Sequence, residues 1–170
     1  LPGYENWDES PLVEPDRCVR VPPIDLPDAS VAEVYMGHLL EHLEPGEADL
    51  LLLDCHRVLA RGGTLGVVVP DTRRVLECYL RQDHTRAEVP QGRFWELDDL
   101  DDVCAVFLYS TFQDSPHRWS YDAATLKRAL ARAGFEVTSR IDPFHDPRSV
   151  PAWWNMGYDA IKLPRKEQAA

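Results

Sequence analysis

His38-Leu39-Leu40-Glu41-His42-Leu43, then Arg57-Val58-Leu59-Ala60-Arg61-Gly62-Gly63, then Thr64-Leu65-Gly66-Val67-Val68-Val69-Pro70-Asp71 succeed one another in one stretch of the chain, and their reading decides the fold. The first piece reads as a short helix-like turn at the exit of a strand. Pro45-Gly46-Glu47 then opens a helix whose Leu50, Leu51, Leu53, Val58 and Leu59 form a broad apolar stripe, the pattern of a helix lying on a sheet. Gly62-Gly63 offers the left-handed exit expected to end that helix. Residues 64–69 show no polar alternation, as a central parallel strand covered on both faces requires.

Upstream of this block, Gly3-Tyr4-Glu5-Asn6-Trp7-Asp8 reads as a turn and a short strand ending on an acid. Residues 18–21 form a second short run stopped by Pro22-Pro23, residues 26–30 a turn, and residues 31–36 a buried strand. Downstream, the pattern predicts a helix over 71–81, an aromatic-acidic segment over 91–102 and an apolar helix through Phe112. Ser120-Tyr121-Asp122 leads into an amphipathic helix over 123–133 with Gly134 as its stop. Strands over 135–141 and 153–163 and a frayed tail over 164–170 complete the chain. Alternating strands and helices predict a single α/β domain over 1–170, a doubly wound, mostly parallel sheet, with residues 72–120 as a variable insertion. Ligands bind such sheets beyond the carboxyl ends of the strands, which directs attention to Asp8, the 22–27 turn, Gly37-His38 and Pro70-Asp71.

Composition narrows the class. The 170 residues hold 29 acids against 18 bases, a formal charge of −11 that argues against a nucleic-acid backbone as partner. No apolar run approaches the roughly 18 residues of a membrane helix, and residues 1–20 lack the cationic start and apolar core of a signal peptide. Cys18, Cys55, Cys78 and Cys104 form no CxxC pair, so the pattern of a structural zinc site is lacking and free thiols in a cytoplasmic protein are expected. Glu96-Leu97-Asp98-Asp99-Leu100-Asp101-Asp102 lacks the alternating spacing of a calcium loop and reads as a solvated helix start. Phe94, Trp95, Trp119, Trp153 and Trp154 read as core or rim aromatics.

The order Pro2-Gly3-Tyr4-Glu5-Asn6-Trp7-Asp8, Leu26-Pro27-Asp28-Ala29-Ser30-Val31, Tyr35-Met36-Gly37-His38-Leu39-Leu40-Glu41-His42 and Arg57-Val58-Leu59-Ala60-Arg61-Gly62-Gly63 resembles the small bacterial class I S-adenosylmethionine-dependent methyltransferases. His117-Arg118-Trp119-Ser120-Tyr121 and Leu130-Ala131-Arg132-Ala133-Gly134-Phe135 resemble that family's last helix–strand unit. The likeness covers residues 2–141. It implies a Rossmann-like sheet with S-adenosylmethionine as cofactor, held by Asp8, Asp25, Leu26, Gly37 and His38. Two departures accompany it. The family's first strand and glycine-rich loop have no counterpart in the chain, so upstream sequence is expected. Val21-Pro22-Pro23 stands where the family carries an acid that reads the adenine, which leaves Asp25 as the nearest carboxylate.

Within that resemblance, Asp8 can accept hydrogen bonds from a ribose diol or can be a solvated turn acid. Gly37 lets backbone approach a ligand, and His38 either faces the crevice or packs beside it. Glu41 and His42 brace the following turn, His42 as a packed histidine. His117 is the candidate general base, or else with Arg118 it anchors the loop before the last helix. The expected function is methyl transfer to a small-molecule or saccharide-like acceptor, without nucleic acid or membrane as partner. The alternative is a degenerate methyltransferase-like domain that binds or assembles without catalysis. An NAD-dependent Rossmann enzyme fits less well.

Overall fold

A computed structural model describes residues 3–81, 117–143, 145–149 and 154–164. The expectations for residues 91–112, the acidic run, Cys104, Phe94, Trp95 and Trp153 fall outside these residues.

Strands β1 (Trp7–Asp8) and β2 (Arg17–Cys18) pair in parallel as a small sheet of their own. A four-stranded sheet is built from β3 (Val31–Gly37), β4 (Leu59–Pro70), β5 (Phe135–Ile141) and β6 (Asn155–Lys162), in the order β3-β4-β6-β5. β3 and β4 are parallel, and β6 runs antiparallel to both of its neighbours. Three strands therefore share one direction and the last strand is wedged among them in reverse. The connections carry helices α1 (Pro45–Val58), α2 (Thr72–Arg81) and α3 (Ala123–Arg132).

β4 is the centre of the sheet, and every residue from Leu65 to Pro70 is buried, which explains why its sequence is apolar without alternation. On one face Leu65, Val67 and Val69, with Met36, Met156 and Tyr158, meet Leu51, Leu52, Cys55 and Val58 of α1 and Leu126 and Leu130 of α3. Burial pushes the Cys55 thiol up to about 12, so it packs as a neutral apolar group. On the other face Arg148 reaches Glu33 of β3, Asp159 of β6 and Asp146 of its own loop. Its guanidinium lies 4.8 Å from the centre of the Tyr35 ring. Gly66 floors this network: a Cβ there would stand 2.8 Å from the Tyr35 ring and 3.3 Å from Arg148.

Two expectations are corrected. Gly62-Gly63 does not end α1, because Leu59 already turns extended at ψ 134 and pairs with Val31. The glycines instead lie inside β4, where the register moves from Val31–Leu59 to Glu33–Thr64 and residues of β4 bulge out. Gly62 takes φ +74 there, and a Cβ on Gly63 would press on two backbone oxygens, of Ala60 and Ala32, at 2.9 and 3.0 Å. The stripe on α1 is also narrower than expected. Leu51, Leu52, Cys55 and Val58 face the sheet, whereas Leu50 and Leu53 are 59% and 43% exposed on the flank.

α3 is fixed at both ends. Asp122 accepts from the Thr125 N–H while the Thr125 hydroxyl accepts from the Asp122 N–H, a reciprocal cap. Gly134 leaves the helix at φ +93, and a Cβ there would lie 3.0 Å from the His56 ring. The His56 Nε2 in turn donates to the Leu163 carbonyl, locking the end of β6 onto α1.

Candidate functional site

The carboxyl ends of β3 and β4 carry the richest chemistry. β3 closes on Gly37, and His38 then adopts φ +56, a left-handed conformation rare for a residue with a side chain. Its N–H donates to the Val68 carbonyl at 2.9 Å, which ties the exit of β3 to β4. The imidazole bridges two groups. Asn155 Nδ2 donates to its Nε2 at 2.8 Å, so the ring proton sits on Nδ1 and is given to Glu41 Oε1 at 2.9 Å.

Glu41 lies in the short 3-10 turn Leu40–His42 and is 1% exposed, an unusual position for a carboxylate. Its second oxygen, Oε2, is buried and accepts no hydrogen bond among the described residues. Its backbone carbonyl accepts from the N–H groups of both Arg118 and Trp119, at 2.7 and 3.1 Å, while Arg118 forms an ion pair with Glu44 at 3.1 Å. These bonds bring His117, distant in sequence, over the turn. The half-buried rings of His42 and His117 meet edge to face with centroids 4.8 Å apart. Burial holds the His117 pKa below the ordinary imidazole value, with Glu41 pulling the other way. Tyr121 completes the surround; burial, then Glu41, pushes its phenol up to about 12.

The remaining predicted residues sit as follows. Asp8 ends β1 half-buried, and its Oδ1 accepts from the Ser10 N–H at 2.7 Å. Asp25 is exposed, and the half-buried Leu26 donates its N–H to the Ile24 carbonyl at 2.9 Å. Gly37 is exposed, with the Tyr35 ring 3.2 Å from where a Cβ would stand. Asp71 caps α2, accepting from the Arg74 N–H, and bridges to Tyr121. Trp7, Val21 and Leu26 pack against the main core, which joins the small β1–β2 sheet to the body.

Arg57, within the Arg57–Gly63 motif, has a task in the structure that its local sequence does not mark. Its guanidinium donates to the carbonyls of Ile24 and Leu26, each at 2.7 Å, and to the carboxylates of Asp28 and Asp54. Asp54 also accepts from the Ile24 N–H. The 24–28 turn is thereby clamped onto α1. The second missed feature is the approach of His117 to Glu41 and His42, which rests on backbone bonds across more than seventy residues and has no local pattern.

With the geometry in place, solved structures give the architecture a name. The chain superposes on a protein of Listeria monocytogenes described as an S-adenosylmethionine-dependent methyltransferase with TM-score 0.54 at 18% identity, covering 93% of this chain and 79% of that one. The 1,6-didemethyltoxoflavin-N1-methyltransferase of Burkholderia thailandensis, solved with 1,6-didemethyltoxoflavin and S-adenosylhomocysteine, gives 0.54 at 14%, covering 87% and 50%. A Methanosarcina mazei protein described among the S-adenosylmethionine-dependent methyltransferases gives 0.51 at 16%, covering 82% and 63%. The chain has a methyltransferase fold. It spans half of the Burkholderia protein and under two thirds of the Methanosarcina one. No protein-family model and no curated protein sequence matches the chain. In methyltransferase terms the reversed strand β6 lies between β4 and β5, and the cluster around Glu41 lies where β3 leaves the sheet. Among the described residues no helix is long and apolar enough to cross a membrane, and Cys18 and Cys55 are free thiols.

Proposed function

We propose that the protein is an S-adenosylmethionine-dependent methyltransferase of a small-molecule or saccharide-like acceptor in the cytoplasm. The observation that carries this reading is the left-handed His38 at the carboxyl end of β3, on a methyltransferase fold. Such a conformation places functional side chains where a regular strand exit would not. The other residues proposed for the site have chemistry suited to a nucleoside cofactor. Asp8 has a second carboxylate oxygen, besides the one bonded to Ser10, for a ribose diol, and the turn clamped by Arg57 carries Leu26 and the exposed Asp25, the residues proposed to meet the adenine. Gly37 brings bare backbone to the crevice, and His38 stands beside it with both ring nitrogens already fixed by Glu41 and Asn155.

A sulfonium cofactor supplies an already activated methyl group, so the protein has to hold the acceptor in line and take its proton. His117 is the proposed proton acceptor. It is half-buried and held over the Glu41–His42 turn by the backbone bonds of Arg118 and Trp119. A net charge of −11 favours a neutral or cationic acceptor over a polyanion.

The test is binding of S-adenosylhomocysteine to the full-length protein and to Asp8→Ala. The account expects saturable binding that Asp8→Ala weakens by about tenfold or more, the loss of a charge-assisted hydrogen bond. Binding that is indifferent to Asp8 removes the ribose assignment. No binding at millimolar ligand removes the enzyme reading and leaves the methyltransferase-like domain that binds or assembles without catalysis.

A further inference from the structure

The Glu41–His42–His117 cluster contains more than methyl transfer asks of it. A buried carboxylate needs a counter-charge or a full set of hydrogen bonds. Glu41 is 1% exposed and, among the described residues, receives one side-chain hydrogen bond, on Oε1, from an imidazole whose other nitrogen is occupied by Asn155. Oε2 is left buried without a donor among the described residues. Beside it, one carboxylate oxygen of Glu41 and one ring nitrogen each of His42 and His117 converge so that all lie within 4.8 Å of one another.

We propose that Glu41, His42 and His117 form a binding site for a divalent transition-metal ion of the zinc type. Two imidazoles and one carboxylate are a donor set suited to such ions and unsuited to magnesium or calcium, which take oxygen ligands. Ligand bonds of about 2.0–2.2 Å place tetrahedral donors about 3.4 Å apart, so loading requires the three groups to draw together by up to about 1.4 Å. Glu41 is held by His38, so loading requires the movement to come from the two half-buried imidazoles. His38 then has the part of an outer partner that orients a ligating carboxylate. Three protein ligands leave coordination positions open to solvent or to an oxygen of a bound molecule. A ligating His117 gives one ring nitrogen to the metal and keeps its N–H on the other, so it has no lone pair left to take a proton, and metal occupancy and proton acceptance by that ring alternate. The site stands on its own geometry and does not depend on the transferase reading.

The experiment is titration of chelator-treated, full-length protein with Zn²⁺ alone and with Co²⁺ alone, followed by calorimetry and by the visible absorption of cobalt. The expected result is one ion per chain. His42→Ala and His117→Ala each abolish the cobalt spectrum, His38→Ala weakens binding about 10- to 100-fold, and His145→Ala, at an exposed histidine paired with Asp142, changes nothing. Far-UV circular dichroism checks each variant. Should the alanine variants unfold, X-ray absorption on the zinc-loaded wild type decides by counting two imidazole nitrogens in the coordination shell. Absence of stoichiometric binding, binding retained by a folded His42→Ala/His117→Ala double variant, or fewer than two imidazoles at the metal overturns the proposal. Because no cofactor is present in these titrations, their outcome is separate from that of S-adenosylhomocysteine binding.

Discussion

Arg57 joins the scaffold to the turn that is proposed to read the cofactor. One guanidinium satisfies two backbone carbonyls and two carboxylates at once, a fork that a lysine point charge cannot reproduce. Arg57→Lys should therefore weaken S-adenosylhomocysteine binding nearly as much as Arg57→Ala, measured by calorimetry, although the charge is kept. Gly134 is a second residue with a defined duty. It holds φ +93 and lies against the His56 ring, so Gly134→Ala should destabilise the protein by more than about 1 kcal/mol, read from the urea midpoint. Asp146 makes the pH prediction. The Arg148 guanidinium, bonded to its carboxyl, holds the Asp146 pKa below the ordinary carboxylate value. A carboxylate depressed in the folded state contributes stability that is complete at neutral pH and is lost as pH falls below about 4. The stability difference between wild type and Asp146→Asn should accordingly shrink between pH 7 and pH 3 in urea titrations.

At the scale of the element, α1 shows where sequence periodicity was enough and where it was not. Its existence and start were legible from Pro45-Gly46-Glu47 and the leucines. Which leucines it buries was not, because Leu50–Leu53 is a continuous apolar run, and only the angle at which the helix meets the sheet selects Leu51 and Leu52. Leu52→Ala should cost about 2–5 kcal/mol, whereas Leu50→Gln should stay within about 0.5 kcal/mol, both by denaturant unfolding. The end of α1 departs from the local pattern for a related reason. A Gly-Gly pair serves a helix exit and a strand bulge equally, and the pairing of Leu59 with Val31, a contact distant in sequence, chose the bulge. α3 was legible at both ends because its signals are local: the Asp122–Thr125 cap and Gly134 each act within one turn.

For the whole molecule, the doubly wound architecture and the residues at the strand ends followed from the alternation of elements and the family resemblance. The reversal of β6 between β4 and β5 did not, since strand direction depends on the path of the chain and leaves no mark on an apolar run. The site divides in the same way. Gly37, His38 and Asp8 were marked by their place after strands, while the meeting of His117 with Glu41 and His42 depends on how two distant segments dock. The proposed function requires these parts to form one crevice. Amide chemical-shift mapping of the isotope-labelled full-length protein with S-adenosylhomocysteine tests that requirement most directly. The account predicts shifts concentrated at Asp8, residues 24–26, Gly37 and His38, with smaller ones at Arg148 and Asp159, which meet Gly37 only through the Tyr35 ring. No shifts at millimolar ligand, or shifts centred on Arg148 and Asp159 with Gly37 and His38 unmoved, would contradict it.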